Sequence, residues 1–152
     1  MQEREILFRG KRVDNGEWVY GYYVHIPCGR CSRDEHLIQT VKENGIIGQL
    51  YEVIPETVGQ YTGLTDKNGV KIFEGDIIKI IPSIEYYGTN GTGRVVFCDG
   101  CYGIDYYNYN KKKFHRIGQI EKWIDMGASG TVHYSYQKID NEHDNPELLN
   151  GD

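Results

Sequence analysis

Four cysteines fall in two C-x-x-C pairs, Cys28-Gly29-Arg30-Cys31 and Cys98-Asp99-Gly100-Cys101. Four thiolates complete a tetrahedral zinc site, so Cys28, Cys31, Cys98 and Cys101, with His36 as a substitute ligand, are the sharpest chemical candidates in the chain. Against zinc, the two pairs stand much farther apart than the roughly 15–20 residues of a common zinc ribbon. The second pair also simply flanks a turn. Buried packing or ordinary hairpin positions is therefore the preferred account of these thiols, with structural zinc kept as the alternative. Neither pair is followed by the strand-to-helix context of a thioredoxin-like exchange site. Closeness across a hairpin would permit a reversible disulfide between Cys98 and Cys101.

A second constellation runs Tyr106-Tyr107-Asn108-Tyr109-Asn110-Lys111-Lys112-Lys113-Phe114-His115-Arg116, aromatic rings interleaved with cations. Single-stranded nucleic acid is held by rings that stack on bases and cations that neutralise phosphates. That chemistry names Tyr106, Tyr107, Tyr109, Lys111, Lys112, Lys113 and Arg116 as candidate contacts. The competing account is an edge strand packing its tyrosines on one face, followed by a charged loop that discourages edge pairing. Net charge decides between them. With 22 acidic residues against 17 lysines and arginines, the chain carries −5 and offers a polyanion no global attraction. The edge-strand account is preferred.

Elsewhere the chemistry is thin. Gly88-Thr89-Asn90-Gly91-Thr92-Gly93 lacks the lysine and the strand-to-helix setting of a phosphate loop. The five histidines are scattered, and no Ser-His-Asp or Cys-His set assembles from this spacing. Glu74 and Asp76 read as turn formers on a solvated surface, because paired catalytic carboxylates need a facing geometry that their spacing does not supply. No enzyme, no catalytic residue and no cofactor other than the zinc alternative are expected.

The elements that must position these residues are strands. Nineteen glycines and thirteen tyrosines make the palette of half-buried strands bounded by tight turns. Strand-like runs occupy Glu5 to Val13 and Glu17 to Ile26, separated by Asp14-Asn15-Gly16, a strong hairpin signal. Further runs cover His36 to Val41, Ile46 to Ile54 and Thr57 to Leu64, the last two around Pro55, which cannot donate to a ladder. From Thr65 the spacing becomes that of a small curled barrel: Val70 to Phe73, Asp76 to Ile81, Gly93 to Cys98, the turn Asp99-Gly100, then Cys101 to Tyr107. Asn108 to Gly118 is a basic loop or strand end, Ile120 to Ile124 a strand or short helical turn, and Thr131 to Lys138 one strand. Aromatic residues such as Trp18, Tyr20, Tyr22 and Tyr23 are expected in the core and in subunit contacts.

At 152 residues the chain is one domain or two very small ones. It is long enough to bury about two-thirds of its unfolded surface, so neither metal nor disulfide is required. No apolar run approaches about 18 residues, and Met1-Gln2-Glu3-Arg4-Glu5 lacks the features of a signal peptide. A cytoplasmic protein with reduced thiols and no membrane attachment is expected.

Gln60-Tyr61-Thr62-Gly63-Leu64, Asp66-Lys67-Asn68-Gly69 and Glu74-Gly75-Asp76-Ile77-Ile78, all within Gly59 to Lys79, resemble the YopX family of phage and prophage proteins. The opening Arg4-Glu5-Ile6-Leu7-Phe8-Arg9-Gly10 and the ending Asp144-Asn145-Pro146-Glu147-Leu148-Leu149 resemble the two ends of that family, so the similarity covers nearly the whole chain. The resemblance implies a β-rich fold whose later part is an SH3-like barrel, carriage on a bacteriophage or prophage, and self-association. It implies no known activity, supplies no catalytic residues, and leaves the cysteines near positions 28 and 98 outside the shared pattern. Residues and resemblance together predict a mainly β protein: an N-terminal β subdomain over residues 1–64, an SH3-like barrel over 65–140 and a polar tail over 141–152, or one unit throughout. Its expected role is a non-enzymatic accessory or protein-interaction module, homo-oligomeric and engaging a phage or host protein. Nucleic-acid binding through the basic-aromatic segment is the alternative.

Overall fold

The computed structural model describes residues 5–29, 33–84, 91–108, 111–117, 121–125 and 128–149. Among these the fold is mainly β, with two single-turn 3-10 helices and no α-helix. Among the described residues no helix is long and apolar enough to cross a membrane. The chain divides into two compact units, Met1–Gly63 and Leu64–Asp152.

In the first unit β1 (Phe8–Lys11), β2 (Trp18–Ile26), β3 (Glu35–Val41), β4 (Ile47–Glu52) and β5 (Gly59–Thr65) pair antiparallel in the order β4-β3-β2-β1-β5. Asn15-Gly16 turns the chain as expected, and Asn44-Gly45 turns it in the same way, their glycines at φ 73° and 77°. The run expected to reach Ile54 stops at Glu52, because Pro55 opens a 3-10 turn, Pro55–Thr57, instead of continuing a ladder it cannot donate to. Thr57 fastens that turn: its hydroxyl donates to the Ile54 carbonyl (2.7 Å) and accepts the Lys11 N–H (2.8 Å). At Gly21, β2 and β3 approach so closely that a Cβ would stand 2.0 Å from the Gln39 carbonyl oxygen, leaving room only for glycine. Ile38, Val53 and Tyr61 are buried on this unit.

The second unit holds β6 (Lys71–Phe73), β7 (Asp76–Pro82), β8 (Gly91–Cys98), β9 (Cys101–Asn108), β10 (Lys111–Arg116), β11 (Glu121–Asp125), β12 (Ala128–Val132), β13 (Tyr134–Asn141) and a 3-10 turn, Pro146–Leu149. Five strands form an antiparallel sheet in the order β10-β9-β8-β7-β13, while β11 and β12 pair with each other. Its order has two ends, so the sheet is not closed among the described residues. Side chains from those end strands nevertheless meet: His115 Nε2 of β10 lies 3.1 Å from the Tyr136 hydroxyl of β13. The core beneath is Ile72, Ile78, Ile80, Val95, Ile104, Tyr106, Ile117 and Tyr136.

Two open alternatives are decided here and one expectation changes. The basic segment after Asn108 forms a full strand, β10, and the ambiguous run before Asp125 is the strand β11. Thr131 to Lys138, expected as one strand, is two, because Thr131 and Val132 pair with β11 whereas Tyr134 onward pairs with β7. The polar residues after Asp140 are also tied down. Arg94 Nη1 meets Glu142 Oε2 at 2.6 Å, and the Glu142 N–H donates to the Gly75 carbonyl at 2.9 Å.

Candidate functional site

Asp99 and Gly100 join β8 to β9 with φ of 49° and 80°, both positive as a primed hairpin turn requires. Cys98 and Cys101 therefore face one another across the ladder, and both are free thiols. The negative charge of Asp99, aided by burial, pushes the Cys98 thiol up. Cys28 belongs to the other unit and is disulfide-bonded, against the expectation that the cysteines stay reduced. A sulfur held in a disulfide has given up the thiolate on which tetrahedral zinc ligation depends. Cys31 lies outside the described residues. His36, the substitute ligand, stands opposite His25 in the β2–β3 register.

The basic-aromatic segment is a hairpin, and its pairing distributes the candidates over two faces. Lys113 stands opposite Tyr106 and His115 opposite Ile104, whereas Lys112, Phe114 and Arg116 share the other face with Asp105. Tyr106 is 5% exposed, a core ring with no face left for a base. On the outer face the Lys112 ammonium is matched by Asp105 at 2.6 Å. Tyr107 and Lys111 pair with Lys112 and Asn108, and Tyr109 lies outside the described residues.

Asp76 is a turn former, as expected, but it is fully buried where a solvated surface was expected. Its Oδ2 accepts the Phe73 N–H at 2.8 Å and Oδ1 meets the Lys138 ammonium at 3.0 Å. A buried carboxylate is tolerable here because a cation arrives from β13.

The feature with the clearest capacity for binding is an apolar sheet face in the first unit. Along β2 the side chains of Tyr20, Tyr22, Val24 and Ile26 alternate onto one face and all are exposed, Tyr22 at 56%. Cross-strand partners extend the face: Tyr22 stands opposite Gln39 and Val24 opposite Leu37, and the same side of β3 carries the exposed Val41. On β4, Leu50 pairs with Gln39 and Ile47 with Val41, so three steps on β4 span two on β3. That bulge brings both exposed residues, Ile47 at 71%, onto the same face. β4 ends the sheet order, so the apolar surface runs to an edge along Ile47–Tyr51, while at the end of the strand the Glu52 carbonyl accepts the Val13 N–H at 3.0 Å. Tyr23 points the opposite way, half-buried, its phenol raised by burial. Sequence reasoning grouped Tyr20, Tyr22 and Tyr23 together, because β2 is apolar on both faces and alternation alone could not say which face is covered.

No curated protein matches the chain. The family model described as YopX protein matches residues 7–150 of the 152, and the chain belongs to the YopX family.

Proposed function

We propose that this YopX-family chain is a non-enzymatic protein-interaction module, an accessory protein of a bacteriophage or prophage working in the host cytoplasm, and that it self-associates through the apolar face of β2, β3 and β4. The observation that carries this reading is the exposure of Tyr20, Tyr22, Val24, Ile26, Val41, Ile47 and Leu50 on one face that reaches an open strand edge. Apolar surface of this kind marks interaction sites, and an open edge is a template for strand addition. A second copy is the occupant that fits, since an antiparallel pairing of two β4 edges about a two-fold axis uses the same patch on both chains. Phage carriage follows the family resemblance. The second unit is taken as the SH3-like barrel of the same module, a reading supported by the β7–β8–β9–β10 meander, the return of β13 to β7, and the contact of His115 with Tyr136 between the end strands.

Light scattering on the purified chain over a wide concentration range tests the proposal. Dimers or larger assemblies are expected at high concentration, and Val24→Lys combined with Leu50→Lys should return the chain to a monomer without lowering its melting temperature. A wild-type chain that is monomeric at every concentration overturns self-association.

A further inference from the structure

The β2–β3 hairpin brings together three metal-ligating side chains that sequence reasoning left scattered. We infer that His25, Asp34 and His36 form a binding site for a divalent transition-metal ion, with zinc the ion that their donors suit best. His25 and His36 stand directly opposite in the antiparallel register, so both imidazoles leave the sheet on one face. Their rings stack with centroids 4.7 Å apart and planes 13° from parallel. Asp34 immediately precedes β3. Its Oδ1 accepts the Cys28 N–H at 3.0 Å, which aims Oδ2 at His25 Nε2, also at 3.0 Å.

One donor atom from each residue lies within 4.8 Å of the other two. Two ligands each about 2.0–2.1 Å from a tetrahedral ion stand about 3.3 Å from one another. The His25–Asp34 pair already has nearly that spacing, with the ion taking the place of the hydrogen the two share. The widest gap closes by about 1.5 Å. Rotation of exposed side chains accomplishes this: the side chains of His25 and Asp34 are 42% and 48% exposed. Tyr23 supplies an outer contact, its hydroxyl 2.5 Å from His36 Nδ1. With the Nδ1 hydrogen given to the phenol oxygen, Nε2 keeps the bare lone pair a metal takes, the arrangement that orients ligating histidines generally. Two imidazoles and a carboxylate are a donor set for zinc, with the fourth position left to water. No cysteine takes part, so this centre differs in kind from the four-thiolate site that the sequence suggested.

Calorimetric titration of zinc into the full chain, stripped with chelator and held at neutral pH, is expected to find about one equivalent bound per chain. His25→Ala and His36→Ala should each weaken binding by about a hundredfold or more, and Tyr23→Phe by about tenfold. Cys98→Ser combined with Cys101→Ser should change nothing. Cobalt(II) in place of zinc should give the weak visible bands of a nitrogen and oxygen site without the intense near-ultraviolet band of cobalt–thiolate bonding. Absence of binding by the wild-type chain overturns the inference, as do unchanged affinity in His25→Ala or a thiolate band in the cobalt spectrum. Should the half-buried His36 prove necessary for folding, His25→Ala and Asp34→Asn, both at exposed positions, carry the test alone.

Discussion

Asp66 shows how much one carboxylate can organise. It is buried, and its oxygens accept the N–H groups of Asn68 (2.8 Å), Val70 (3.0 Å) and Lys138 (3.2 Å). Burial raises its pKa, but those three N–H groups and the Lys138 charge together outweigh burial and hold the carboxyl below the ordinary range. A folded-state pKa depressed in this way contributes stability that is present above the unfolded value, near 3.9, and is lost as pH falls through the folded value. Asp66→Ala should therefore cost about 2 kcal/mol at neutral pH. The gap between wild type and variant in urea unfolding should shrink on acidification, and a gap independent of pH would refute the account. Asp66-Lys67-Asn68-Gly69 carries its turn signals within four residues, so the turn belongs to the local sequence. That Lys138 returns to it was not legible, since nothing in a single chain announces a contact between residues so distant. The same limit hid His25, Asp34 and His36, whose meeting depends on strand register.

Among the strands, what could be read beforehand was whatever is settled by neighbours in the chain. Asp99-Gly100 and the Asn-Gly turns were placed correctly because positive φ is a property of the residues themselves. The break at His133 could not be read: residues on both sides favour strands, and a change of pairing partner makes the break. Gly75 joins both kinds of information. Its φ is 81°, its N–H donates to the Val95 carbonyl at 2.9 Å, and its own carbonyl accepts from Glu142. A β-branched side chain at this φ costs about 1–3 kcal/mol, before any disturbance of those two bonds. Gly75→Val should accordingly lower the melting temperature or leave the chain insoluble. Soluble protein with wild-type thermal stability would show that the turn is not the constraint described.

Charge acts over longer distances than any of these contacts. With a formal −5, one candidate ring in the core and Lys112 matched by Asp105, the chain should bind single-stranded DNA neither tightly nor with a salt-dependent slope. Replacing Lys111, Lys112 and Lys113 with alanine should leave any residual binding unchanged. A slope of one phosphate contact or more, lost in that triple variant, would restore the nucleic-acid reading. The mainly β character and family membership were legible from the glycine and tyrosine content and from the motif run Gly59 to Lys79. The apolar face was not, because deciding which side of β2 is covered requires the partners of that strand. The division after Gly63 falls inside β5. The strand's first residues, Gly59 and Gln60, pair with β1, and its last, Thr65, leads into the Asp66–Gly69 turn. No linker marks the seam, so a genetic exchange at that point would cut a strand in half.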